Sequence, residues 1–420
     1  MIHDKKLLIL GASKELISLV QRAQELGAYV IVTDSFTDRS ISPTKNYADE
    51  AWDYSWTDVD LLAEVCRKHH VDGITSGYSE NKIEYVIKLC RVLGLPCYIN
   101  ENQLEITRNK KKFKAECRKF GIPTVKEYGS IESVDAYPVI VKPVDCAGSI
   151  GVSIAQNEAQ LKAAVQFAKS VSKDGDAIIE QYINATKVDL YYAVEDGKAT
   201  AITTCDTLMS SENGLDYVIQ NAWLYPHKYE QKLLEQVDSK FKDMFKSLGI
   251  KYGCVAISGF RLEDGSYVFF ECGFRTEGGC QFEYSFRKGY MNFLDIFILH
   301  ALFGNTKLLI RNADTIPELK LCTANFYIRR KAERINGFDI IKTWDECTYS
   351  DTMLEQPYND QLRKSILQKA GMISIAETDG LKLKQLLDKA FQIIKLEDGD
   401  GESVIFDYPD TDVIANWWND

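Results

Sequence analysis

Apolar and polar positions alternate along this chain with two periods, and the change of period marks out its segments. Residues 7–10 form an unbroken apolar run, read as a buried strand, and Gly11 closes it as a tight turn. Residues 16–26 carry apolar side chains at helical spacing, and 29–33 are again strand-like, ending at Asp34. That is a βαβ unit. The same alternation predicts a helix over 59–70, a strand over 73–76, a helix over 82–93 and a short strand over 97–99. Residues 1–101 are therefore expected to form a small, doubly wound parallel sheet.

A helical stretch over 102–124 follows, stopped by Gly121 with Pro123 just beyond. Val139, Ile140 and Val141 predict a buried strand, 151–155 a second, 158–171 a helix, and 177–183 a strand that carries Glu180. Residues 187–204 read as a hairpin turning at Asp196 and Gly197. A long helix over 229–248 precedes strands over 253–262 and 267–272, joined at Asp264 and Gly265. Past residue 310 the alternation, the turns at Asn336-Gly337 and 398–401, and one helix over 381–394 predict a mostly β domain packed against the rest. No repeat, low-complexity segment or long linker interrupts the chain, so its domains should pack closely.

Composition narrows the function classes. With 420 residues, 45% hydrophobic and 26% charged, there is chain for two or three domains. A formal charge of -11 argues against nucleic acid or an anionic membrane as the main partner, so a bound polyanion would need local lysines and arginines, or a metal. Eleven cysteines without a CxxC pair, and no signal peptide, lead us to expect free thiols and a cytoplasmic protein. The apolar run over 293–303 is short and interrupted by Asp295 and His300, so no membrane span is expected.

The candidate chemistry centres on residues 138–151. A strand ends in Lys142 and runs into a small-residue loop with Ala147, Gly148, Ser149 and Gly151, whose backbone N–H groups could close on an anionic ligand. The lysine precedes the glycines, so this is not a P-loop, and a plain hairpin connection is the alternative. In the first domain, Gly11 and Asp34 invite a dinucleotide reading, but the fingerprint needs three glycines and only Gly11 is there. The lysines at 110, 111, 112 and 114 read mainly as a solvated face, with one of them free to do more. Cys146 reads as a small filler residue, not a nucleophile.

Taken together, Lys110, Lys142 with its glycine loop, IIEQYI at 178–183 and LEDGSYVFFECGFRTEGG at 262–279 resemble, in order and spacing, the ATP-grasp superfamily. The resemblance is to the branch that holds carbamoyl phosphate synthetase, biotin carboxylase and phosphoribosylglycinamide synthetase. It implies an α/β chain with a Rossmann-like N-terminal domain (1–101), a two-part α+β ATP-grasp core (102–310, glycine-loop subdomain 125–182) and a small, mostly β C-terminal domain (311–420). It implies ATP and Mg2+ as cofactors. Lys110 resembles the first phosphate lysine, with Asn109 in place of the aspartate of a DKxxxK pattern, and Lys142 the second. Gly148, Ser149 and Gly151 would form the lid over the phosphates. Glu180 would accept from the adenine amine, while the backbone at Gln181 and Ile183 reads the base edge. Glu271 resembles a magnesium ligand, and Arg275 the arginine facing an acyl phosphate or the transferred phosphoryl group.

Two positions depart from the pattern. Counting back thirteen residues from Glu271, with Gly265 as the turn, puts Ser258 where the family usually has a second metal-binding glutamate or glutamine, and Gly273 replaces the asparagine of E-x-N-x-R. Glu277, Gln281 or Glu283 are candidates for a missing oxygen. The resemblance implies an ATP-dependent ligase that activates a carboxylate as an acyl phosphate for attack by an amine or other nucleophile, with a homodimer left open. The alternatives are a nucleotide-binding protein with little catalysis, suggested by Ser258 and Gly273, and an NAD-linked oxidoreductase, resting on Gly11 and Asp34.

Overall fold

The structure, a computed structural model, describes residues 2–146, 150–210, 219–276, 281–328, 330–354 and 368–419. Its first hundred residues carry β1 (Lys6–Leu10), α1 (Ile17–Glu25), β2 (Tyr29–Thr33), β3 (Glu50–Trp52), α2 (Val59–His69), β4 (Gly73–Thr75) and α3 (Glu80–Leu93). The strands form a parallel sheet in the order β3-β2-β1-β4, with Leu8 between Ile31 and Ile74. Both faces are covered, so β1 and β2 are apolar at nearly every position, as a doubly wound sheet requires. One expected strand is missing. Residues 97–99 follow Pro96 and carry no strand; Tyr98 packs edge-on against Phe274 and Phe297, and Ile99 joins a neighbouring core. The fourth strand is β3, which sequence periodicity does not mark because only Trp52 of its three residues is buried.

The stretch over 102–124 is two helices, α4 (Glu101–Arg108) and α5 (Lys110–Lys119), not one. Asn109 ends the first in extended conformation and caps the second, its Oδ1 accepting from the N–H groups of Lys111 and Lys112 at 3.1 and 3.2 Å. Next, β5 (Glu127–Tyr128), β6 (Val139–Pro143), β7 (Ser153–Ala155), α6 (Glu158–Val171) and β8 (Ala177–Gln181) build a four-stranded antiparallel sheet in the order β5-β8-β6-β7. The helix α6 buries Leu161, Ala164 and Ala168 against Val139, Val141 and Ile179 on one face. The other face carries Lys142 and Glu180.

The chain then continues through β9 (Thr186–Glu195), β10 (Lys198–Met209), β11 (Gln220–Tyr225), α7 (Glu230–Ser247), β12 (Gly253–Arg261), β13 (Tyr267–Gly273), α8 (Gln281–Arg287) and α9 (Leu294–Phe303). The β9–β10 turn has φ of 46° at Asp196 and 79° at Gly197, the two left-handed residues of a tight hairpin. Beyond residue 310 come β14 (Lys320–Ile328), β15 (Arg334–Asn336), α10 (Phe338–Lys342), β16 (Tyr349–Leu354), β17 (Gln368–Glu377), α11 (Gly380–Ile393), β18 (Lys395–Glu397) and α12 (Thr411–Asn416). Strands from both sides of residue 310 share one antiparallel eight-stranded sheet, β13-β12-β9-β10-β11-β14-β17-β16. The last segment shares a core with β11, where α11 lays Leu383, Leu387 and Ala390 on β14 and β17 beside Ala222 and Leu224.

One face of this sheet packs on α5 and α7 through Val188, Leu190, Tyr192, Phe241 and Phe245. The other meets α9, which is buried at every position from Leu294 to Leu302 and wedged between the eight-stranded sheet and the N-terminal sheet. Gly73 is needed there, since a Cβ would stand 2.4 Å from the carbonyl oxygen of Ala301. Asp295, fully buried in α9, is gripped by Arg22 of α1 through Nε–Oδ1 and Nη2–Oδ2 contacts of 2.6 and 2.8 Å. Among the described residues no helix is long and apolar enough to cross a membrane.

Candidate active site

Three segments far apart in sequence meet in the cleft between the two antiparallel sheets. The cap at Asn109 fixes the start of α5, so that the Lys110 N–H donates to the carbonyl of Val144 at 2.9 Å. Its ammonium donates to the carbonyl of Cys146 at 2.6 Å and lies 3.8 Å from Oε1 of Glu271. Lys110 is thus a buried cation that faces the mouth of the glycine loop on one side and a half-buried carboxylate on the other. The cysteine contributes its carbonyl; burial, then the neighbouring Asp145, pushes the thiol up, as fits a filler residue.

Lys142, at the end of β6, forms an ion pair with Glu180 Oε2 at 2.8 Å, and its ammonium sits over the ring of Phe270 at 4.4 Å. The other oxygen of Glu180 meets Lys114, a fully buried lysine that also lies 3.3 Å from Glu127. Burial by itself would raise the Glu180 carboxyl, but the charges of Lys142 and Lys114 outweigh it and hold the group below its usual value. Burial also lowers the Lys114 ammonium, with Glu180 opposing. The Glu180 carboxylate is fully buried and is the counter-ion of two desolvated lysines, and its Oε2, ion-paired with Lys142, has no hydrogen-bond partner among the described residues. Gln181, exposed, ends β8, and Ile183 follows it, half-buried, on the way to β9.

The floor of the cleft is the β9, β12, β13 end of the large sheet. Glu271 pairs with Ser258, and Ser258 with Asp189, so the three side chains share one face in a row across the strands. Ser258 Oγ donates to Asp189 Oδ1 at 2.5 Å, and Lys187 bonds the other oxygen at 2.5 Å. A register shift after Ser258 lets Phe270 stack on Phe260 at 5.0 Å, giving an apolar patch beneath Lys142. Arg275 lies past the end of β13, with Nε donating to Glu80 Oε2 at 2.8 Å; Arg108 bonds the backbone carbonyl of Glu80. The first turn of α3 therefore reaches the site from the N-terminal domain. At Gly273 a Cβ would meet only ordinary contacts, the nearest at 3.7 Å on Arg275 and Glu80.

Other expected residues fall as follows. Gly148, Ser149 and Glu277 lie outside the described residues, as does the side chain of Gln281. Gly151 has φ +74°, and a Cβ there would stand 2.4 Å from Val171 and 2.6 Å from Pro143. Glu283 is paired with Arg287 on its own helix at 2.8 Å. In the N-terminal domain the Lys82 side chain covers Gly11, its Nζ 2.5 Å from where a Cβ would be. Sequence reasoning missed Lys114, Asp189 and Glu80. Lys114 is the last lysine of the DKxxxK-like stretch, and Asp189 alternates onto the same face of its hairpin as Lys187, so both carried a signal; Glu80 did not.

Several known proteins are similar to this chain. Residues 111–273 match the family model described as D-ala D-ala ligase C-terminus. The N-terminal section of the carbamoyl phosphate synthase large chain of Methanopyrus kandleri is 24% identical over 268 residues, covering 59% of this chain and 46% of that one. The chain spans about half the length of the first curated relatives it matches. The crystal structure of an L-amino acid ligase from Bacillus licheniformis superposes with a TM-score of 0.73 at 16% identity, covering 98% of this chain and 100% of that one. The biotin carboxylase domain of the 2-oxoglutarate carboxylase of Hydrogenobacter thermophilus, solved with MgADP, ADP and bicarbonate, gives 0.74 at 16% identity over 99% and 94% of the two chains.

Proposed function

We propose that this chain, which belongs to the ATP-grasp superfamily, is an ATP-dependent ligase that activates a small-molecule carboxylate as an acyl phosphate and joins it to an amine or other nucleophile, releasing ADP and phosphate. The observation that carries the reading is the convergence of Lys110, Lys142 and Glu271 from separate segments on one cleft, with Lys110 3.8 Å from Glu271 and Lys142 over the adjoining Phe270. Such a site works by positioning and by neutralising phosphate charge.

In this reading Lys110 and Lys142 hold phosphate oxygens, and Gly148, Ser149 and Gly151 form the lid. Glu180 keeps Lys142 in place, the backbone at Gln181 and Ile183 binds adenine, and Arg275 faces the transferred group. The donor chemistry fits magnesium: Glu271 is a half-buried carboxylate at a strand end, and Mg2+ normally takes only one or two protein carboxylates beside phosphate and water. The ion would supply charge neutralisation at the phosphates. The reading includes a cytoplasmic location and domain limits near 101 and 310. A second reading, a nucleotide-binding protein with little turnover, is favoured by Ser258 and Gly273. A phosphate-release screen of purified protein with Mg-ATP and paired carboxylates and amines separates the two. Phosphate release that requires a particular pair supports the ligase; ADP binding with no release from any pair supports the second reading.

A further inference from the structure

The end of the large sheet below the cleft carries more polar chemistry than the roles above use. Glu271, Ser258, Asp189 and Cys205 stand in register on β13, β12, β9 and β10, so their side chains line one face in a single row. Asp189 is 3% exposed. Its Oδ1 accepts from Ser258 Oγ at 2.5 Å, and its Oδ2 takes Lys187 Nζ at 2.5 Å with the Cys205 thiol at 3.7 Å. Thr203 and Thr207, two residues to either side of Cys205 on the same face, are each 3% exposed and have hydroxyls without a hydrogen-bond partner among the described residues. These two hydroxyls lie beside the row, along β10, and leaving them unsatisfied is costly.

Ser258 is the short residue in this row. A glutamate there would project toward the oxygens of Asp189, whereas serine leaves that space and donates a hydrogen bond across it. The row thus holds two carboxylates, on β13 and β9, with a neutral hydroxyl between them. We propose that Asp189 supplies the second carboxylate of the divalent-cation site, one strand removed from position 258, and that the Lys187 ammonium balances it until the ion binds. This rests on the ATP-grasp ligase reading and adds to it a residue and a competing cation. Ser258 is then a compensated change, not a lesion in the site.

Binding of Mn2+ in the presence of ADP, followed by electron paramagnetic resonance on the full chain, tests this without reference to turnover. Asp189→Asn is expected to weaken Mn2+ by about 10- to 100-fold, the range seen when residues supporting a metal site are lost. Lys187→Met is expected to tighten it, since the ammonium that competes for Asp189 is gone. If Asp189→Asn fails to fold, Lys187→Met decides alone. Unchanged Mn2+ affinity in a folded Asp189→Asn protein, or weaker Mn2+ binding in Lys187→Met, overturns the proposal and leaves the pair a structural salt bridge. The two failures can be told apart. Wild-type protein that binds Mn2+ and ADP together while Asp189→Asn is unaffected sinks only Asp189, whereas wild-type ADP binding that ignores Mn2+ sinks the ligase reading with it.

Discussion

Lys142 and Glu180 form an ion pair of 2.8 Å in which the carboxylate is fully buried and the ammonium nearly so. A lysine held by a buried counter-ion is fixed in position before any ligand arrives, which is what a phosphate-binding group in a preorganised site requires. Lys114 shares the same carboxylate from the opposite side, so the two lysines have different duties.

That division yields the first prediction. Lys142→Met should weaken ATP by roughly the 1.5 to 3 kcal/mol of a hydrogen bond to a charged group, while Glu180 keeps Lys114 and the fold survives. Lys114→Met should leave the buried Glu180 with one cation where it had two, while Glu127 keeps Arg118, and cost about 3 kcal/mol of stability. Calorimetric ATP titration and urea unfolding of both variants read the two effects. Equal loss of stability in both would contradict the division.

The parts of this arrangement that sequence could reveal are those with a local cause. The strands β1 and β2, the Asp196-Gly197 hairpin and α6 follow from periodicity and turn chemistry. Lys142 and Glu271 stand at strand ends inside recognisable motifs. By contrast α9 is buried on every side and, apart from Asp295 and His300, apolar all round, so it has no amphipathic signature and shows in the sequence only as an interrupted apolar run. Strand β3 is three residues long and takes its conformation from β2. Lys114 is hidden in a run of lysines because its burial depends on Glu180, 66 positions away. Asp189 becomes informative only when the register of β9 against β12 is known.

Acid should destabilise the protein in two steps. Burial lowers the His300 imidazole from 6.5 to about 4, so the unfolded chain binds the extra proton between those values. The stability is complete above 6.5 and is lost as pH falls toward 4, by about 2 kcal/mol between pH 7 and pH 5. Glu180 has a lowered folded value relative to 4.5, so its contribution is present above 4.5 and disappears as pH falls through the folded value. Urea unfolding at pH 7 and pH 5 should show a much smaller difference in His300→Leu than in wild type, with the lower step retained.

Arg22 and Asp295 tie α1 to α9 and so hold the N-terminal sheet against the core. Burial raises the Asp295 carboxyl despite Arg22, which marks it as a charge that depends on its partner. Arg22→Leu alone should cost about 3 to 5 kcal/mol, and Arg22→Leu with Asp295→Leu should recover most of it, because no unpaired charge is left inside. A double-mutant cycle by denaturant unfolding measures the recovery; additive losses would show that the pair is not coupled.

The register of Asp189, Ser258 and Glu271 sets up the last prediction. Ser258→Glu introduces one of the residue types, glutamate or glutamine, that the resemblance to the ATP-grasp superfamily implies for this position, and taken alone it would be expected to improve metal binding. In this chain Ser258 Oγ is 2.5 Å from Asp189 Oδ1 on the neighbouring strand, so a glutamate there sets a second carboxylate directly across from the first. Like charges at directly opposed positions destabilise a sheet, and Lys187 can balance only one of them. Ser258→Glu should therefore lower stability in the absence of metal and gain part of it back on adding Mn2+ with ADP, because a bound cation stabilises the state that holds it. Ser258→Glu with Asp189→Ser keeps the net charge and moves the carboxylate one strand toward Glu271. That double variant should fold as well as wild type and bind Mn2+ at least as tightly. Thermal unfolding of the three proteins with and without Mn2+ and ADP provides the comparison. A single variant that is as stable as wild type without metal, or a double variant that loses Mn2+ binding altogether, would mean that Asp189 and position 258 do not share one site.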